Sequence, residues 1–426
     1  MGGARMRSTS VLNIDLSALD RNVSAIRHLI SPQCELCAVV KADAYGLGAP
    51  RIARQLAESG VGMLAVYNLA QAEAISAAGV TTPQLVLMPV REIESGGAIH
   101  RLLLAGRLHL VVHSLSHAID VALMAEQLGG GSIPVHVEID TGMSRGGSSV
   151  GEAGRILAHI ADDRRLRLAG VFTHFSASRE CDATTHAQMD AFERVLESEA
   201  ASISSDVLIH AANSHALVRH RRFHAKMVRA GLAWTGLAEM PQVADEDHAQ
   251  LESIVSWESS IVHVKDVPCG ASVGYGSLFR TRRSSRLGIV PVGYFDGYPA
   301  TSQGVERWIR VLAQTPHGLK AFDAAVVGAV NMDQIIVDLT DVPASIAYGD
   351  GFIGMAAELY GRDSTARNYL PQISRGCTTH PYELLCRLSP RIPRNYVGET
   401  ASTQVGLTQS LSMVRSERQA PGAMTG

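Results

Sequence analysis

The feature that most constrains this chain is a repeated alternation, over its first 240 residues, of short apolar runs with segments of helical spacing. Val11–Ile14 is followed by helical spacing through Leu16, Leu19, Val23, Ile26 and Ile30. Val39 and Val40 close a second apolar run. A helix over Ala49–Ser59, a strand over Met63–Val66, a helix over Asn68–Ala78 and a strand over Gln84–Met88 follow. The runs Leu108–Val112, Val135–Ile139, Leu168–Phe172 and Val207–Ile209 continue the series. About eight alternations in this length point to the α/β class, and to a closed (β/α)8 TIM-type barrel rather than an open sheet.

The pattern changes near Ala244. Strands are expected over Ile254–Val264, Leu287–Val292, Arg307–Val311, Ala324–Val330 and Ile335–Leu339, punctuated by Gly, Pro and Asp with few helical patterns between. The chain divides into a barrel over 11–243, a mainly β domain over 244–397 and a tail over 398–426. The tail is rich in Ser, Thr, Gln and Gly and is expected to be disordered. With 46% apolar and 19% charged residues the rest is globular. A net charge of −3 provides no basic field for nucleic acid, and no run reaches the ~18 apolar residues of a membrane helix. The six cysteines are scattered, and Cys34 and Cys37 lack a second pair at zinc spacing, so no metal site is expected. The N-terminus lacks the apolar core of a secretory signal, and a reducing cytoplasm fits the thiols.

One strand end stands out chemically. Val39-Val40-Lys41-Ala42-Asp43-Ala44-Tyr45-Gly46-Leu47-Gly48 delivers an amine to a glycine-bounded loop, where α/β proteins build their sites. A lysine in partly apolar surroundings can act as a Schiff-base nucleophile, whereas one that snorkels to water does not. On its own, the loop allows both readings.

Several ordered motifs between Val11 and Tyr396 resemble those of the alanine racemase family, pyridoxal 5′-phosphate (PLP) enzymes with an N-terminal barrel and a C-terminal β domain. The lysine loop is similar to the family's cofactor-attachment signature, which implies Lys41 as the covalent ligand of PLP and Tyr45 as a phosphate contact. Asp140-Thr141-Gly142-Met143-Ser144-Arg145 resembles the motif whose arginine, here Arg145, points at the cofactor phenol and the substrate carboxylate. By the same resemblance His174 stacks on the pyridine ring, His210-Ala211-Ala212-Asn213-Ser214 holds phosphate through Ser214, and His210 supports Arg229. Arg229 faces the ring nitrogen, where a permanent cation donates a hydrogen bond without giving up its proton. The amides of Gly231 and Leu232 and the Tyr382 hydroxyl complete the implied phosphate cradle.

Ser272-Val273-Gly274-Tyr275-Gly276 resembles the family's catalytic tyrosine turn. Racemisation needs a base on each face of the α-carbon, and the resemblance implies Lys41 for the D-enantiomer and Tyr275 for the L-enantiomer. Tyr275 would reach into the partner subunit of a homodimer, its phenolate favoured by His174 and Arg229. Tyr294 is implied at the channel mouth, and the Met332 amide at the substrate carboxylate. Three departures from the family fall on the substrate side: Glu138 replaces a lysine that is usually carbamylated and is expected to hold Arg145, and Ala300 and Ala329 replace arginines; in the lysine loop, Leu47 stands where the family often has histidine. The implied activity is two-base interconversion of L- and D-alanine. The alternatives are a broader-specificity racemase acting on serine, lysine or other amino acids, and a PLP-binding protein without turnover, against which the β domain and Tyr275 argue.

Overall fold

The structure is a computed structural model that describes residues 9–239, 250–300, 305–315, 318–346 and 351–398. Eight parallel strands close into a barrel: Glu35–Val39, Met63–Val66, Gln84–Val86, Leu108–Val112, Ile133–Asp140, Leu166–Phe172, Leu208–His210 and Met227–Ala230. Closure comes from Met227–Ala230 returning to Glu35–Val39, with Met227 opposite Glu35 and Ala230 opposite Ala38. Outward side chains such as Leu64, Leu110 and Val137 are buried in the main apolar core. Inward ones, among them Cys37, Met63, Leu85, Val111, Phe172 and Met227, form a separate small cluster, as the period-2 alternation of a strand requires.

The first apolar run does not join the barrel. Ser10–Asp15 pairs antiparallel with Val255–Ser260 and parallel with Arg394–Val397. Its residues alternate between buried and half-buried, the signature of a strand with one covered face, whereas every residue of Leu108–Val112 is buried. The barrel closes without it, and its apolar face is buried by the second sheet instead. That nine-stranded sheet runs, in spatial order, His263–Val267, Ser285–Val290, Ile335–Asp338, Gly318–Val327, Trp308–Thr315, Ala356–Tyr360, Val255–Ser260, Ser10–Asp15, Arg394–Val397. The single strand expected over Ile254–Val264 is broken at Ile261 and Val262 into two that pair with different neighbours. Ala356–Tyr360 and Arg394–Val397 are strands that the apolar pattern did not reveal. The expected division at 243/244 and the tail beyond Gly398 lie outside the described residues.

Local chemistry explains the helix starts around the site. Gly48 takes φ +93° immediately before helix Ala49–Glu58, and Asn68 caps Leu69–Ala77 by accepting from the Gln71 amide at 3.0 Å. Arg362 ties together segments of the nine-stranded sheet, its guanidinium 2.5 Å from Asp15 Oδ2 and its Nε donating to Ser253 O at 2.7 Å. Among the described residues, no helix is long and apolar enough to cross a membrane.

Candidate active site

The loop after Glu35–Val39 is strained. Ala42, Asp43, Ala44 and Tyr45 all occupy the left-handed region, with φ between +52° and +61°. For residues with a Cβ this costs about 1–2 kcal/mol each. The surroundings hold it there: the Ala44 amide donates to Val40 O at 2.9 Å, Gly48 to Asp43 O at 3.0 Å and Ala49 to Asp43 Oδ1 at 2.7 Å. Arg394 donates to Gly46 O through Nε at 3.0 Å and Nη2 at 2.9 Å. Strain so firmly retained marks a place where side-chain direction matters. Lys41 opens this turn, half-buried, and its amine is pulled below the ordinary lysine value first by burial and then by the charge of Arg145. A larger neutral fraction is what a nucleophilic or basic amine needs.

Tyr45 ends the left-handed turn beneath a group of hydroxyls. Its ring lies 4.8 Å from that of Tyr382 and 5.8 Å from that of Trp234, and its hydroxyl hydrogen-bonds to Tyr382. Burial, then Tyr382, pushes Tyr45 well above the usual tyrosine value, so its hydroxyl stays protonated and able to donate. Ser214 Oγ accepts from the Gly231 amide at 2.8 Å and the Ala233 amide at 3.1 Å, while the Leu232 amide donates to Tyr382 Oη at 2.9 Å. Asn213 caps the short helix Ser214–Arg219 and also accepts from Ser178 Oγ at 2.9 Å. A Cβ on Gly231 would sit 2.4 Å from Tyr45 Oη and 3.1 Å from Tyr382 Oη, so only glycine fits there.

Arg229 is buried, its guanidinium between two imidazoles. Nη1 donates to His210 Nδ1 at 2.7 Å, and Nη2 to His174 Nδ1 at 3.2 Å and to Thr173 O at 2.9 Å. Burial lowers Arg229 to about 10, which leaves it a cation at neutral pH. His174 is pushed down to about 3 by burial, then by Arg229, Arg145 and Lys41. It is therefore neutral, and of the two groups expected to favour a phenolate only Arg229 carries charge.

Arg145, His174, Asn213, Leu232 and Tyr382 line a cavity of about 380 Å³ beside this group. Glu138 does not reach Arg145: its Oε2 lies 3.1 Å from His113 Nδ1, which also receives the Gly147 amide at 3.0 Å. The physical reason is register, because Val111 and His113 share the inward face of one strand and Glu138 shares that of its neighbour. His113 and Trp234, whose Nε1 donates to Val39 O at 3.0 Å, are site neighbours that the motifs did not signal. The two-residue step from Val111 would have exposed His113.

Tyr275, Tyr294 and Met332 form a second group on the β domain. The Tyr294 amide donates to Asn331 O and the Phe295 amide to Met332 O, both at 3.0 Å, which ties two loops together. A Cβ on Gly328 would lie 2.8 Å from Val273 O, which brings the Tyr275 turn against the same loops. Tyr275 is 76% exposed, Met332 54% and Tyr294 47%. Among the described residues, none of the three hydrogen-bonds to the barrel group.

Residues 14–239 match the alanine racemase N-terminal domain and residues 254–396 the alanine racemase C-terminal domain. The chain belongs to the alanine racemase family. A curated alanine racemase from Methanococcus maripaludis is 32% identical over 390 residues, covering 90% of this chain and 97% of that protein. The crystal structure of the alanine racemase from Streptomyces lavendulae is similar at a TM-score of 0.78 and 26% identity, covering 93% of this chain and 99% of that one. That from Bartonella henselae, described with covalently bound pyridoxal phosphate, gives 0.74 and 25%, covering 92% and 100%.

As a member of the alanine racemase family, the protein is an isomerase of the racemase type, and its residues can be tested against PLP. An amine held partly neutral at Lys41, protonated hydroxyls at Tyr45, Ser214 and Tyr382, a glycine whose Cβ would fill the cradle, and the donor Arg229 beside a flat imidazole all suit an aldehyde, a phosphate and a pyridine ring. The donor set fits the cofactor.

Proposed function

We propose that this racemase interconverts L- and D-alanine on PLP held by Lys41, Tyr45, His174, Ser214, Arg229, Gly231, Leu232 and Tyr382, in a homodimer whose sites are shared. The observation that carries the reading is the separation of Lys41 from Tyr275. Lys41 is half-buried above the barrel, whereas Tyr275 stands 76% exposed on the β domain, with Leu278, Phe295 and Met332 also exposed. A second copy would cover that patch and bring its tyrosine to the barrel mouth.

When bound, the cofactor withdraws electrons from the α-carbon and so acidifies its C–H bond. Lys41 would hold the cofactor through its amine and, with substrate bound in its place, would face one side of that carbon. In the L-to-D direction Tyr275 of the partner subunit, as its phenolate, would take the α-proton at Oη, and Lys41, as its ammonium form, would deliver a proton from Nζ to the opposite face, so that the carbon loses one proton and gains one. Arg229 remains a hydrogen-bond donor throughout, and Arg145 and the Met332 amide hold the carboxylate. His210 supports Arg229, Asn213 caps the helix that begins at Ser214, Glu138 acts beside His113, and Tyr294 narrows the entrance. A reducing compartment, and so the cytoplasm, fits six cysteines that are all free.

Ala300 and Ala329 favour a second reading, a broader-specificity racemase, since lost bulk and charge at the mouth admit larger side chains. Turnover of L-alanine, L-serine and L-lysine by the purified protein with PLP separates the two. Alanine fastest supports the first; no alanine turnover overturns it.

A further inference from the structure

Three histidines stand in line inside the barrel below Arg229. His210 Nε2 lies 3.0 Å from His136 Nδ1, and His136 Nε2 lies 2.9 Å from His109 Nδ1. His109 in turn hydrogen-bonds to the backbone of Gly106. His109 and Val111 alternate inward on one strand, His136 and Glu138 on the next, so the row descends through the interior from the rim that carries the site. Barrel interiors are ordinarily filled by branched apolar side chains. Buried imidazoles are tolerated there only when each donor and acceptor is matched.

The direction of the row is determined by its upper end. Guanidinium groups only donate, and a neutral imidazole has one donor and one acceptor. Arg229 Nη1 donates to His210 Nδ1 at 2.7 Å, so the His210 proton is on Nε2 and faces His136 Nδ1. The same argument places the His136 proton on Nε2, facing His109 Nδ1. A proton on any Nδ1 would set donor against donor. Burial disfavours the charged form of all three rings, and Arg167 near His109 and His136 disfavours it further.

The surrounding chain makes room for the row. A Cβ on Gly170 would fall 2.1 Å from His136 Nδ1, so the strand next to His136 must have glycine at that point. Phe172, two residues on, stacks on His210 with ring centroids 4.6 Å apart and lies under the Arg229 guanidinium at 5.0 Å.

We propose that His136 and His109 are positioning residues for Arg229: with His210 they form a one-directional hydrogen-bond chain that fixes each ring as its Nε2–H tautomer and orients the guanidinium towards the site. The part that concerns the cofactor's ring nitrogen rests on the PLP reading above. The chain holds Arg229 by neutral acceptors, and among the described residues no carboxylate hydrogen-bonds to its guanidinium, which keeps it a rigid donor.

The test is 15N spectroscopy of histidine-labelled, full-length protein with and without PLP, resonances being assigned from single variants. Unprotonated Nδ1 and protonated Nε2 at His109, His136 and His210 support the chain. A proton on Nδ1 of His136 or His210 overturns it. Two variants add a functional readout: His136→Phe keeps ring volume but removes the acceptor for His210, whereas His136→Asn keeps an acceptor oxygen near the Nδ1 position. His136→Phe should raise pyruvate and pyridoxamine phosphate formed per racemisation event about tenfold, the scale of losing an outer-shell partner, with His136→Asn close to wild type. Equal partitioning in the two variants overturns the positioning role. A protein that binds no PLP removes the proposed activity, while the tautomers still decide the chain.

Discussion

Glu138 Oε2 lies 3.1 Å from His113 Nδ1, and among the described residues its carboxylate makes no ion pair with Arg145. The substrate-side carboxylate thus lies beside an imidazole one residue beyond the neighbouring strand, whose Nδ1 accepts from the Gly147 amide. We expect Glu138→Gln and His113→Gln to be coupled by about 0.5–3 kcal/mol in a double-mutant cycle on kcat/KM, the range for contacting residues. Glu138→Gln and Arg145→Lys should add independently. Coupling of Glu138 to Arg145 in place of His113 would restore the anchoring role expected from the sequence.

Tyr275→Phe tests the second base. It should leave PLP binding intact and reduce racemisation by about 10²–10⁴-fold, the usual contribution of a general acid or base. Deuterium exchange at the α-carbon should fall far more for L-alanine than for D-alanine. Equal loss from both enantiomers would contradict the division of labour with Lys41.

The phosphate end can be probed without measuring turnover. Gly231→Ala places a Cβ 2.4 Å from Tyr45 Oη and should abolish tight PLP binding. Tyr382→Phe removes the acceptor of the Leu232 amide and should weaken binding by about 1–3 kcal/mol, roughly 5- to 150-fold in Kd. Unchanged affinity in both variants, by equilibrium titration, would place the phosphate elsewhere.

Acid should destabilise the chain. Burial holds His109 at about 4 and His174 at about 3, against an ordinary 6.5, and holds His136 and His210 well below 6.5. Above pH 6.5 neither the folded nor the unfolded chain is protonated at these rings, and their contribution is fully present. As pH falls below 6.5 the unfolded state takes up protons that the native state refuses, so stability is lost down to about pH 4 for His109 and about pH 3 for His174, with loss in the same direction at His136 and His210. Each ring costs about 1.4 kcal/mol per pH unit over its window. Urea unfolding of the cofactor-free protein at stepped pH should show this decline; a flat profile would mean that the histidines are protonated or exposed.

The barrel was legible because its strands are short, apolar and separated by helices of regular period, as in Leu108–Val112. The candidates Lys41, Arg145 and Tyr275 were drawn from local motifs, each contained in a few consecutive residues. What escaped needed strand register. Ser10–Asp15 was miscounted although its alternating Val, Asn and Asp already marked a strand with one open face. The Glu138–His113 pair and the row of His109, His136 and His210 join residues on different strands, and no spacing within one segment encodes which strands adjoin. Charge at His174 failed for another reason, since burial and neighbouring cations decide it and neither is local in sequence.

The strand Ser10–Asp15 also bears on the order of events during synthesis. A ribosome releases all eight barrel strands, ending at Ala230, before either neighbour of this first strand exists. This strand must therefore wait for Val255–Ser260 and then Arg394–Val397, while the Asp15–Arg362 contact spans 347 residues. Domains complete in order from the N-terminus as the chain lengthens, yet here Ser10–Asp15, ahead of the barrel in sequence, is completed only after it, in one sheet with Arg394–Val397. Trimming the N-terminus should accordingly injure the late-folding half of the molecule and spare the barrel that follows it in the chain.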